Sequence, residues 1–120
     1  LINKRAGNII AVTSIWGEIG ASCEVLYSMV KGGQNTFVKA LAKELAPSGI
    51  RVNAVSPGAI STPMLRSFNE DDLHDLAEEI PMGRLGRPDE IAGVISFLLS
   101  EDAAYMTGQI LSVNGGWSTA

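Results

Sequence analysis

A single cysteine, Cys23, leaves this chain without an internal disulfide and suits a reducing compartment. No run of about 18 apolar residues occurs, so a membrane-spanning helix is excluded and no membrane partner is expected. Positive charge is scarce, with nine Lys and Arg against thirteen Asp and Glu for a net charge of −4. A nucleic-acid binder normally needs a clustered cationic face, so no nucleic-acid partner is expected either. Leu1-Ile2-Asn3-Lys4-Arg5 has no long apolar region behind its charges; no secretory leader is expected, and the expected compartment is the cytoplasm. An initiating methionine is also lacking, which fits a chain whose beginning is missing. What remains is a globular composition, 120 residues with 46% hydrophobic and 18% charged. That is one domain at most, able to bury roughly two-thirds of its unfolded surface.

Three short segments read as buried strands: Asn8 to Thr13, Ile50 to Ser56 and Gln109 to Val113. Each is rich in β-branched or apolar residues and bounded by Gly, Pro, Asn or Ser. The first is almost continuously apolar, as in a strand covered on both faces. Between them lie helical patterns. Ser22 is the expected N-cap of a long helix whose apolar positions Leu26, Val30, Phe37, Val38, Leu41 and Leu45 recur until Pro47-Ser48-Gly49 stops them. Leu26, Val30, Phe37, Leu41 and Leu45 are expected on one stripe facing the sheet, with Gly33 and Ala40 near a second. A shorter acidic helix is predicted from about Asn69 to Ile80, capped by Asn69 and ended by Pro81. The last begins at Pro88 and runs through Ile91, Val94, Ile95, Leu98 and Leu99. This alternation predicts an α/β protein, a Rossmann-type doubly wound parallel sheet with helices on both faces. Three parallel strands would leave an apolar edge open, so residues 1–120 are expected to be the C-terminal half of one larger domain.

In open parallel sheets ligands bind beyond the carboxyl ends of the strands. That rule selects Thr13-Ser14-Ile15-Trp16-Gly17 after the first strand and Ser56-Pro57-Gly58-Ala59-Ile60-Ser61-Thr62 after the second. The long helix between them carries Tyr27 and Lys31, four apart and hence on one face. A lysine cation beside a phenol favours the phenolate. A tyrosine so placed is a general acid for a carbonyl oxygen or a base for an alcohol. Ser14 can hold the same oxygen by a hydrogen bond as charge develops on it.

Ser14, Tyr27 thirteen positions later and Lys31 four further on resemble the catalytic core of the short-chain dehydrogenases/reductases. The resemblance extends to Arg51-Val52-Asn53, to Pro57-Gly58 with Thr62, to Met82-Gly83-Arg84-Leu85-Gly86 with Pro88, and to Val113-Asn114-Gly115-Gly116. Within the family it is nearest the 3-oxoacyl-acyl-carrier-protein reductase-like branch. The resemblance implies Tyr27 as proton donor, Lys31 on the nicotinamide ribose, and Ser14 on the substrate carbonyl. It also implies Tyr27, Lys31, Pro57, Gly58, Ile60 and Thr62 as contacts to NADP or NAD, with NADPH the favoured of the two. It assigns the glycine-rich phosphate turn, the residue that selects NAD or NADP, and the catalytic asparagine to positions before residue 1. The substrate it implies is a small-molecule or carrier-bound carbonyl, and the assembly a homotetramer that dimerises through the helix around 24–46.

Two other readings accompany this one. Ser14-Ile15-Trp16-Gly17 with Gly20 to Val25 looks like reductases of the 5-aminopentanone modification on elongation factor P, and Glu24 could then greet an amine. A different class is a non-catalytic Rossmann half that binds a partner through its open edge. Cys23 is expected to be a small buried residue, and Trp16 and Trp117 packing residues, although Trp16 is near enough to Ser14 to line the pocket. His74 and Glu78 share a helix face, but a solvated acidic helix is expected there and no metal site. By resemblance the stretch from Thr62 to Pro81 covers the substrate through Met64, Leu65, Phe68, Leu73 and Leu76.

Overall fold

The structure is a computed structural model that describes residues 6–63 and 69–119. Met64, Leu65 and Phe68, read above as part of the substrate cover, lie outside the described residues, as do residues 1–5. Three strands, β1 (Gly7–Val12), β2 (Ile50–Pro57) and β3 (Ile110–Val113), pair in parallel in the order β1-β2-β3. Helix α2 (Val25–Leu45) crosses from β1 to β2. Helices α3 (Glu70–Glu79) and α4 (Pro88–Leu99) lie between β2 and β3.

β2 is the central strand, and residues 52–56 within it are all buried. Its alternate side chains feed two cores. Val52 and Ala54 meet Val38 and Ala42 of α2 on one face, and Val55 meets Ile91 and Leu98 of α4 on the other. Fully burying such a Val or Leu contributes about 1.5–3 kcal/mol. The sheet is therefore covered on both faces, as the strand and helix alternation predicts. Asn53 is wholly buried but satisfied, donating to the Met106 carbonyl at 3.1 Å and accepting from the Gln109 amide at 3.0 Å. Arg51 donates to the Leu98 carbonyl at 2.9 Å, at the end of α4. These polar side chains pin the segment before β3 and fix its register.

The helix signals hold for α3 and α4. Asn69 accepts from the Asp72 amide at 2.7 Å, and α4 starts at Pro88. Two readings of α2 need correction. Ser22 does not cap it: Glu24 occupies the cap position without a side-chain bond, and the chain turns at Cys23, whose φ is 68°. The loop is instead closed by the Glu24 amide on the Ala21 carbonyl, 3.1 Å, and by the Ala21 amide on the Ser28 hydroxyl, 3.1 Å. Cys23 is exposed rather than buried.

The second correction concerns the stripe. Val38, Leu41, Ala42 and Leu45 pack on the sheet, whereas Leu26, Val30 and Phe37 point the other way, Phe37 being 62% exposed. At 100° per residue the exposed residues share a face with Gly33 and Ala40. The helix thus has two apolar faces, and among the described residues one of them is left uncovered.

An element that the periodicity does not predict, α1 (Ile15–Ile19), follows β1 directly. Its Gly17 lies against α2 so closely that a Cβ there would come within 2.6 Å of the Lys31 carbonyl carbon.

Candidate active site

The carboxyl ends of β1 and β2 open into one cleft of about 540 Å³. Ser14, Tyr27, Gly58, Ile60 and Thr62 line it. Ser14 ends the segment after β1 and caps α1, its hydroxyl oxygen accepting from the Trp16 amide at 3.2 Å. One lone pair is thereby engaged, while the O–H is left to donate. Tyr27 stands in the first turn of α2, 43% exposed toward the cleft, and the Lys31 ammonium lies 5.5 Å from its ring centroid. That is within the range at which a cation interacts with a ring face. Lys31 and Pro57 flank the cleft rather than line it.

The loop after β2 is held by a parallel bridge between Ile60 and Gly86. Gly86 donates to the Ala59 carbonyl at 2.9 Å and accepts from the Ser61 amide at 2.8 Å. In such a bridge the N–H and C=O of the intervening residue point away from the partner. The Ile60 backbone therefore offers one donor and one acceptor with no partner among the described residues. Gly58 permits the close approach of β3: a Cβ there would stand 2.7 Å from the Asn114 Cβ.

Four further residues of the wall bear on what it can bind. Of the two α3 residues in the substrate-cover reading, Leu76 reaches it and Leu73 does not. Glu24 lines it and brings a negative charge. Trp16 and Trp117 both line it and meet edge to face, centroids 5.2 Å apart at 69°. Trp117 is thus part of the cleft and not only a packing residue. Nothing local predicts this, because the partner that places it lies at the other end of the chain. His74 and Glu78 form an exposed pair at 3.0 Å on α3. Among the described residues no group of three His, Cys, Asp or Glu is placed to hold a metal ion. No described helix is long and apolar enough to cross a membrane.

Residues 1–118 match the short-chain dehydrogenase family model described as enoyl-(acyl carrier protein) reductase. The chain belongs to the short-chain dehydrogenase/reductase family. An oxidoreductase of Bacillus subtilis named YmfI is 66% identical over 117 residues, covering 98% of this chain and 48% of that protein. The 3-oxoacyl-[acyl-carrier-protein] reductase FabG of Aquifex aeolicus is 46% identical over 116 residues, covering 97% of this chain and 47% of its own length. A solved short-chain dehydrogenase/reductase from Brucella melitensis, described as a glucose/ribitol dehydrogenase, superposes with a TM-score of 0.87 at 40% identity. It covers 94% of this chain and 46% of that one. The chain spans about half the length of the curated relatives it matches. Membership in the family fits the geometry, since the cleft lies where a parallel sheet presents its strand ends.

Proposed function

We propose that this chain is the C-terminal half of a nicotinamide-dependent oxidoreductase domain that interconverts a carbonyl and a secondary alcohol. The observation that carries this reading is the convergence of Ser14, Tyr27 and Ile60 on one cleft. A bound nicotinamide supplies or accepts the hydride. The residues suit it: the unpaired N–H and C=O of Ile60 match the acceptor and donor of a carboxamide, and Thr62 lies on the same wall. Tyr27 gives its proton to the carbonyl oxygen in reduction and takes it back in oxidation. Lys31 places positive charge by the ring as negative charge develops on the phenolic oxygen, and it would hold the ribose hydroxyls of the cofactor. Ser14 donates to the same substrate oxygen. The cofactor is NADP(H) or NAD(H), NADPH being favoured, and its phosphates are held by the other half of the domain.

A carrier-bound 3-oxoacyl group is the substrate that the FabG relatives support. A second reading, the 5-aminopentanone group on elongation factor P, is favoured by Glu24 in the wall and by the acids of α3, whose Leu76 shares the cleft. An anionic rim attracts an ammonium and repels a carrier's phosphate. A binding module without catalysis would not need Ser14 and Tyr27 on one cleft. We further propose that the uncovered face of α2 pairs two copies and that the chain edge at β3 completes a homotetramer.

The decisive experiment uses the full-length protein with NADPH and NADH, a 3-oxoacyl thioester and an amine-bearing ketone. Tyr27→Phe is expected to lower kcat by on the order of 10²–10⁴ while the circular dichroism spectrum stays unchanged. Activity within a few-fold of wild type overturns the proton-donor role, and the preferred substrate separates the two readings.

A further inference from the structure

We propose that Glu18 is a positioning residue for this reaction, clamping α1 so that the Ser14 hydroxyl is held at the cleft; the role rests on the carbonyl-reductase reading above. Helix α1 has five residues, far too few to be stable alone. Something else must fix it, and Ser14, as its N-cap, moves with it. Two contacts do so. Gly17 abuts the Lys31 backbone, where no Cβ fits. Glu18, in the next position, reaches across to the sheet with both carboxylate oxygens.

The Ser56 hydroxyl donates to Glu18 Oε2 at 2.6 Å, and the Ser112 hydroxyl donates to Glu18 Oε1. Ser56 is wholly buried and immediately precedes Pro57-Gly58. Ser112 stands on β3, two residues before Asn114, whose Cβ packs against Gly58. One carboxylate therefore joins α1, the end of β2 and β3, the segments that carry Ser14 and the loop to Ile60. Among the described residues no cation pairs with Glu18, so its partners are these two hydroxyls. An ionised carboxylate is acceptor-only and suits two O–H donors at once. An amide would turn an N–H toward one of them. Glu18 is absent from the cleft wall and so acts through Ser14 rather than on substrate.

A double-mutant cycle in the full-length enzyme tests this. Glu18→Ala is expected to lower kcat about tenfold to a hundredfold, the scale set by small misplacements of a catalytic group. KM for the carbonyl substrate is expected to change far less. In the Ser14→Ala background the same substitution is expected to cost less than about twofold, because the group it positions is gone. Glu18→Gln, which keeps one acceptor, is expected to fall between. A purely structural role gives equal losses in both backgrounds, and that result overturns the proposal. So does an unchanged kcat in Glu18→Ala. If Glu18→Ala does not fold, Glu18→Gln enters the cycle under the same criterion. A Ser14→Ala enzyme as active as wild type overturns the reductase reading itself, and with it this role.

Discussion

Glu90 is held in its charged form by two neighbours at once. The Arg84 guanidinium grips its carboxylate at 2.7 and 2.9 Å, and the Arg87 amide donates to it at 3.0 Å. The hydrogen bonds from Arg84 and then from Arg87 lower its pKa from 4.5 to about 2. A carboxyl lowered in this way stabilises the fold fully above its unfolded value and loses that contribution as pH falls through the folded one. The stabilisation is therefore expected to fade between pH 4.5 and about 2. Glu90→Gln is expected to flatten this part of the stability–pH curve, read from urea midpoints across the window. An equally steep curve in the variant places the acid sensitivity elsewhere. The pair matters to the site because it braces the stretch that includes Gly86, the partner of the Ile60 loop. Its exposed position keeps the effect modest.

Among elements, α1 and α2 are set by a glycine. Gly17→Ala would push a methyl into the Lys31 backbone from 2.6 Å, where no flexible side chain can yield. Overpacking of this kind costs about 1–3 kcal/mol, so a lower denaturation midpoint and reduced activity are expected together. Gly93 in α4 has open space around it, and Gly93→Ala is expected to stabilise by about 1 kcal/mol. If both changes proved neutral, the close helix contact would not constrain the fold.

The same elements explain what could be read without coordinates. The three strands start and end within one residue of the sequence boundaries, and α3 and α4 within a residue or two, because caps, prolines and apolar runs are local signals. The shared cleft of Ser14 and Tyr27 is legible because the strand-end rule and the first turn of the following helix put both at the same end of the sheet. α1 was not, since five residues are too short to establish a period. The inward face of α2 was misread because apolar residues lie on two sides, and periodicity alone does not say which side meets the sheet. Trp117 and Glu18 depend on partners about a hundred positions away, information that only the folded chain contains.

At the scale of the whole molecule, the outward face of α2 dominates. Leu26, Met29, Val30 and Phe37 are all largely exposed there. Among the described residues the far edge of β1 also has no strand beside it. A contiguous apolar face of this kind is the surface on which the proposed pairing of two copies rests. Phe37→Glu in the full-length protein is expected to halve the particle mass in light scattering and to leave the monomer fold intact. Unfolding instead would place Phe37 in an internal core supplied by the other half of the domain.

The sequence contains two tryptophans, and both stand in the cleft wall, edge to face. The chain therefore carries a built-in optical probe. Excited at the red edge, where tyrosine is silent, all of its emission originates beside Ser14 and Tyr27. A ligand entering the cleft is expected to shift or quench that emission without any label. Trp117→Phe is expected to change the signal and leave Trp16 as a single reporter on the rim of the same site.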